Sequence, residues 1–157
     1  MEFPDLQKFP QGHPPSPYNH PVRIIWVGEG MLPKGNTLKA VGWLENEGYE
    51  KGYPGDRFVR TVIKHTPDSL FSDGTRGGHC CSLCDKGSRP WVYWKTKRIR
   101  LNGHGHYLIR KGKAVYMAPS LLLHYVVSHE YLPPEEFIHA TIHGEFLSEE
   151  DLEISWR

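Results

Sequence analysis

Short apolar runs along this chain are separated by polar connections rich in glycine and proline, and the runs carry two different periods. Val22–Val27 (VRIIWV) is β-branched and reads as a strand. Thr37–Glu45 (TLKAVGWLE) alternates imperfectly and predicts a second strand, antiparallel to the first across a loop of Gly28, Gly30, Pro33, Gly35 and Asn36. After the loop NEGYEKGYPG, Asp56 is expected to cap a helix reaching about His65, because Phe58, Val59, Val62 and Ile63 recur at helical spacing. Trp91–Trp94, Arg98–Leu101, His106–Arg110 and Ala114–Met117 read as strands, the last two joined by a tight turn at Lys111, Gly112 and Lys113. Pro119 suits the first turn of a helix over Ser120–Ser128. Pro134, Glu135 and Glu136 open another through about His143, with carboxylates at its positive end. Ser148 and Asp151 predict a capping box for a last short turn.

Early strands, a central loop, a meander and late helices predict an α+β fold: a small antiparallel sheet or meander, two to three helices and a zinc knuckle. Residues 1–21 hold six of the thirteen prolines. Proline fixes φ and removes amide donors, so this stretch reads as an N-terminal arm that neither pairs nor coils regularly. Phe3, Leu6, Phe9 and Tyr18 suggest that the arm packs on the remainder, residues 22–157, which reads as a single zinc-containing domain. GYEKGYPGDRFVRTVI and HEYLPPEEFIHATI share an aromatic, a proline and an apolar helical pattern. The echo is short, and chance similarity accounts for it better than two similar loop-to-helix units.

Composition narrows the function classes. A chain of 157 residues, 38% hydrophobic, can bury a core without disulfides. A net charge of +1 gives no global attraction to nucleic acid or to a membrane, although a local patch can still form. No apolar run approaches the ~20 residues that span a bilayer. The start MEFPDLQKFPQG lacks the basic and apolar regions of a signal peptide. All three cysteines lie within Cys80, Cys81 and Cys84, which argues against a disulfide framework and for a reducing, cytoplasmic setting. Ten histidines exceed what a core of this size requires and point toward metal.

The metal candidates cluster around Gly77-Gly78-His79-Cys80-Cys81-Ser82-Leu83-Cys84. Two cysteines separated by two residues can aim both sulfurs at one ion across a tight turn, and zinc prefers tetrahedral Cys and His donors. His124 and His129, spaced H-x4-H, offer the second pair. Five residues turn a regular helix by about 500°, leaving these two side chains about 140° apart. Both can therefore bind only if the helix loosens or ends near Ser128; otherwise His79 completes the site. His104 and His106 form a further pair, on one face if they lie on a strand. Packed thiols with unrelated histidines are the plain alternative, and a redox dithiol a weaker one, since a redox C-x-x-C normally opens a helix after a strand. Cys80 reads as a spare thiol.

Four protein donors close a zinc site, and three plus water open it for hydrolysis. A structural site is the favoured reading. Asp85, Glu130 or Glu135 could supply a base for a hydrolase, but neither HExxH nor a deaminase-type signature is present. Gly28-x-Gly30 has no phosphate-loop continuation, and Ser120 and Ser148 read as helix-start residues. Tyr125 and Tyr131 read as core residues before second partners of a ligand. Trp91, Tyr93, Trp94, Lys95, Lys97, Arg98 and Arg100 interleave aromatic and basic groups. A surface for single-stranded nucleic acid could be built from them; a strand with Trp inside and Lys/Arg outside is the favoured reading.

Val41-Gly42-Trp43-Leu44-Glu45, the run His79-Cys80-Cys81-Ser82-Leu83-Cys84, Ala118-Pro119-Ser120-Leu121, His124-Tyr125, His129-x-Tyr131 and Pro133-Pro134-Glu135-Glu136-Phe137 together resemble a family of small uncharacterised bacterial proteins. Its pattern is HxCxxC followed by APxLxxHYxxxHxYxPPxEF. The resemblance spans residues 40 to 143 and leaves the arm outside. It implies a shared site, gives no reaction, and adds weight to His79, His124 and His129. A cytoplasmic zinc protein with a protein partner, acting as an interaction or immunity-like accessory factor, is the first expectation. A zinc-dependent hydrolase and a single-stranded nucleic-acid binder are the alternatives.

Overall fold

The computed structural model describes residues 5–6, 37–44, 46–66, 70–71, 81–84, 91–101 and 106–147. The expected strand at 22–27, the arm other than Asp5 and Leu6, and the Ser148/Asp151 capping box lie outside the described residues. The elements are β1 (Thr37–Ala40), α1 (Asp56–His65), β2 (Leu70–Phe71), β3 (Trp91–Trp94), β4 (Lys97–Arg100), β5 (His106–Lys111), β6 (Ala114–Pro119), α2 (Leu122–Ser128), α3 (Glu135–His143) and β7 (Glu145–Phe146). Among the described residues, three helices beside two small, mostly antiparallel sheets make an α+β fold.

The five-stranded sheet runs β1-β6-β5-β2, with β7 also paired to β5. Its centre is the hairpin β5–β6, in register from Lys111↔Ala114 to His106↔Pro119. The tight turn holds Gly112 at φ 61, a conformation glycine adopts without steric cost. Both strands are buried over most of their length, and their centres, Tyr107–Ile109 and Val115–Ala118, are continuously apolar where a half-exposed strand would alternate. Strand β1 joins β6 in parallel, Thr37↔Ala114 to Ala40↔Met117. It stops at Ala40, short of the expected Glu45, where Gly42 turns away at φ 77. Pro119 is the last residue of β6 and not the first of a helix: the ladder to His106 continues through it, and α2 starts at Leu122.

Helix α1 begins as expected, but Gly55, at φ 99, occupies the cap position and Asp56 is the first helical residue. The Asp56 carboxylate instead accepts the Tyr53 hydroxyl at 2.6 Å and pairs with Lys95. Phe58, Val59 and Val62 are fully buried, and Phe58 meets Phe137 of α3 edge to face at 6.0 Å between ring centroids.

The two echoing segments pack on each other. Lys51 and Tyr131 form an antiparallel bridge, Gly52 N–H donates to the Glu130 carbonyl and Leu132 N–H to the Glu50 carbonyl, both at 2.9 Å. Each segment then passes a proline and enters its helix, and the helices α1 and α3 pack together. Of the arm, Leu6 N–H donates to the Ala40 carbonyl at 2.7 Å, and Asp5 accepts Gly42 N–H at 2.9 Å and the Tyr131 hydroxyl at 2.7 Å. Among the described residues no helix is long and apolar enough to cross a membrane.

Candidate metal centre

The knuckle is a single turn. Cys84 N–H reaches back to the Cys81 carbonyl at 3.4 Å, and the amides of Leu83 and Cys84 point at the Cys81 sulfur. Such amides favour a thiolate or a sulfur bound to a cation. Across from the turn lies α2, whose residues Leu122 to Val126 are all buried, His124 among them at 6% exposure.

The helix ends where the two-histidine arrangement requires. His129 leaves helical geometry at φ −120 and ψ 10, and Glu130 follows in the left-handed region at φ 56. Both His129 and Tyr131 return their amides to the Tyr125 carbonyl at 3.1 Å. This break removes the angular separation a continuous helix would impose. The Tyr49 hydroxyl donates to the His129 carbonyl at 2.8 Å and fixes the swung-out residue. Tyr49 has no metal-type spacing to betray it; it stands 80 residues before its partner.

Four donor atoms converge: Cys81 Sγ, Cys84 Sγ, His124 Nε2 and His129 Nε2, all within 4.8 Å of one another. His129 Nε2 lies 3.4 Å from Cys81 Sγ, 3.3 Å from Cys84 Sγ and 3.2 Å from His124 Nε2. Cys84 Sγ lies 3.3 Å from His124 Nε2. One imidazole nitrogen carries one proton or one lone pair and cannot serve three hydrogen-bond partners at once. A tetrahedral ion bonded at about 2.3 Å to sulfur and about 2.0–2.1 Å to nitrogen separates its donors by about 3.3–3.8 Å. The four separations, 3.2–3.4 Å, lie at or just below the short end of that range, so the donor set fits such an ion. Both thiols are free of disulfides.

In the ion-free protein, burial pushes the Cys81 thiol up to about 11, against the pull of the Leu83 and Cys84 amides. Burial, with His129 beside it, holds His124 down at about 4. An imidazole kept neutral at physiological pH has its lone pair available to a cation.

The structure thus brings together Cys81, Cys84, His124 and His129. His79, Cys80, His104 and Asp85 lie outside the described residues. His106 is buried in β5 against Trp43, ring centroids 5.2 Å apart, and is not one of the four. Glu130 and Glu135 are exposed and belong to no metal-type donor group among the described residues. Tyr125 and Tyr131 are core residues. Of the basic-aromatic segment, Val92 and Trp94 face inward, while Tyr93, Lys95, Lys97, Arg98 and Arg100 are exposed.

No curated protein and no solved structure matches the chain. The family described as a domain of unknown function, DUF7919, matches residues 1–142 and so takes in the proline-rich arm that the motif resemblance left outside. The match extends over most of the chain, and the protein belongs to that family.

Proposed function

We propose that this is a zinc-binding protein in which Cys81, Cys84, His124 and His129 hold one structural Zn2+, and that it works as a cytoplasmic interaction or accessory factor, immunity-like in kind, on a protein partner. The observation that carries the metal reading is the convergence of three donors on His129 Nε2 at 3.2–3.4 Å. Two thiolates and two imidazoles suit zinc over harder cations, which prefer oxygen. Four protein donors leave no position for an activated water, so the arrangement supports a structural role over hydrolysis. Free thiols beside imidazoles require a reducing compartment to stay metal-competent.

Elemental analysis of protein purified without chelator, joined to X-ray absorption at the metal edge, tests this. One zinc per chain with two sulfur and two nitrogen neighbours is the expected result. An absence of bound metal would refute the site, and an oxygen neighbour in place of one protein donor would transfer the reading to a hydrolase.

A further inference from the structure

Six of the ten histidines lie among the described residues, and four of these already have a place. His124 and His129 belong to the four-donor centre, His106 packs on Trp43, and His65 stacks on Phe146 with ring centroids 4.0 Å apart. His139 and His143 remain. They stand four residues apart on α3, both exposed, with ring centroids 4.6 Å apart. The helix buries Phe137, Ala140 and Thr141, and the pair lies on its opposite face. Side chains at i and i+4 are neighbours on a helix surface, which is how two histidines of one helix share one ion. Among the described residues neither imidazole has a hydrogen-bond or ion-pair partner to compete for it.

The ring spacing points to a geometry. A bond of about 2.1 Å from a ring nitrogen places the ring centroid about 3.2 Å from the ion. A right angle at the ion then separates two such centroids by about 4.5 Å, against 4.6 Å here. Right angles belong to octahedral and square-planar ions with nitrogen ligands, while zinc in a closed site takes the wider tetrahedral angle. The platform is firm. Gly144 N–H donates to the Ala140 carbonyl at 2.6 Å, and a Cβ at Gly144 would collide with the Ala140 and Arg110 carbonyls, so the end of α3 is set closely on β5.

Charge acts in both directions. Arg57 of α1 and Lys111 at the end of β5 lie near enough to His143 to oppose a cation. They also keep His143 neutral: desolvation, then His139, Arg57 and Lys111, lower it below the usual imidazole value, which leaves its lone pair available. His143 is the last residue of α3, where the helix carries partial negative charge that favours a cation. The residue after His139 is Ala140, so the H-x3-H spacing lacks the glutamate base of a hydrolytic HExxH.

We propose that His139 and His143 form a second metal site, a two-imidazole chelate for a divalent ion of the Ni2+ and Cu2+ class, with water in its remaining positions. The site shares no donor with the first centre and does not depend on it.

The test is calorimetric titration of Ni2+ into full-length, zinc-loaded protein, with zinc content measured before and after. Ni2+ is the probe because it leaves the free thiols reduced. One Ni2+ per chain is expected, with zinc retained and with no competition from Mg2+. His139→Ala and His143→Ala should each weaken binding about a hundredfold or more, the advantage of two linked contacts over one. The double variant should bind little worse than either single one. Arg57→Gln should tighten binding about twofold by removing a neighbouring charge, an effect that a purely structural pair would not show. Both histidines are exposed and alanine favours helix, so circular dichroism should match the wild type. An absence of Ni2+ binding by the wild type overturns the proposal. So does binding indifferent to both substitutions, which would place the ion on other histidines, and so does a small, additive loss from each, which would show two independent surface imidazoles. Zinc absent from the first centre leaves the test intact, because only the His139 and His143 variants read the second.

Discussion

Glu130 shows how a single backbone angle serves the candidate metal centre. At φ 56 it lies where an L side chain is strained, and it directly follows His129. Its exposed side chain has no packing reason to be there, so the conformation exists to reverse the chain after α2. A β-branched residue tolerates this region worst. Glu130→Val should therefore destabilise the protein by about 1–2 kcal/mol, beyond the ±0.5 kcal/mol or so of ordinary surface changes, while Glu130→Gly should be close to neutral. Urea unfolding of the metal-loaded variants measures both, and equal stability of the two would contradict the strain. Glu136 gives a prediction in pH. The Tyr116 hydroxyl donates to it at 2.6 Å and, with Lys39 nearby, holds its carboxyl below the usual carboxylate range. A carboxyl depressed in the folded state contributes stability that is present above its unfolded value, near 4.5, and is lost as pH falls through the folded one. Glu136 is partly solvated, its side chain 44% exposed, so the effect is modest. Wild type should lose more stability than Tyr116→Phe between neutral pH and pH values below that range. Any acid release of metal is common to both proteins, so the difference isolates the pair, and parallel pH curves would remove it.

Between elements, the clearest coupling joins α1 to α3. Phe58 and Phe137 are fully buried and touch edge to face, each in the equivalent position of its own loop-to-helix unit. Either Phe→Ala change should cost about 3–5 kcal/mol, against a total of about 5–15 kcal/mol for a domain. The double variant should fall short of the sum by about 0.5–1.5 kcal/mol, the part belonging to the aromatic pair. Strict additivity in a double-mutant cycle would show that the rings are neighbours without being partners. Much of this level was legible in the residues. The Phe58–Ile63 spacing gave α1, Pro134 with its two glutamates gave α3, and the Lys-Gly-Lys turn gave the β5–β6 hairpin, because those signals are local. The C-x-x-C and H-x4-H spacings likewise named the four donors, and the angular conflict between the histidines pointed to the helix end at Ser128. What stayed hidden was non-local. Parallel pairing of β1 with β6 joins residues 77 positions apart, and an apolar strand carries no mark of its partner's direction. Pro119 looked like a helix start because the residue is equally at home at the end of a strand that no longer needs its amide. Tyr49 was missed because a hydroxyl bonded to a distant carbonyl leaves no spacing to read.

Across the whole molecule, the candidate metal centre brings together chain segments that nothing local would hold together. Cys84 and His124 are 40 residues apart, Cys81 and His129 are 48. An ion there closes a loop containing both hairpins and α2, and closing a long loop is what a crosslink stabilises most. The two hairpins depend on it unequally. β5–β6 lies inside the five-stranded sheet, flanked by β1, β2 and β7 and packed by α3, so it keeps its partners without an ion. β3–β4 forms its own two-stranded sheet and packs through β3 on α2, the helix that carries His124 and ends at His129. A two-stranded sheet is marginal unless something covers it. Chelation should therefore speed hydrogen exchange at residues 91–100 and 122–128 well before it reaches 106–119, a sub-global opening in place of uniform unfolding. Exchange mass spectrometry with and without chelator measures this, and a uniform loss of protection, or none, would contradict it. His129→Ala, which removes one donor and leaves the hairpin sequence intact, should reproduce that loss of protection at residues 91–100 and 122–128 without chelator; wild-type protection there in the variant would show that the hairpin holds its shape without the fourth donor.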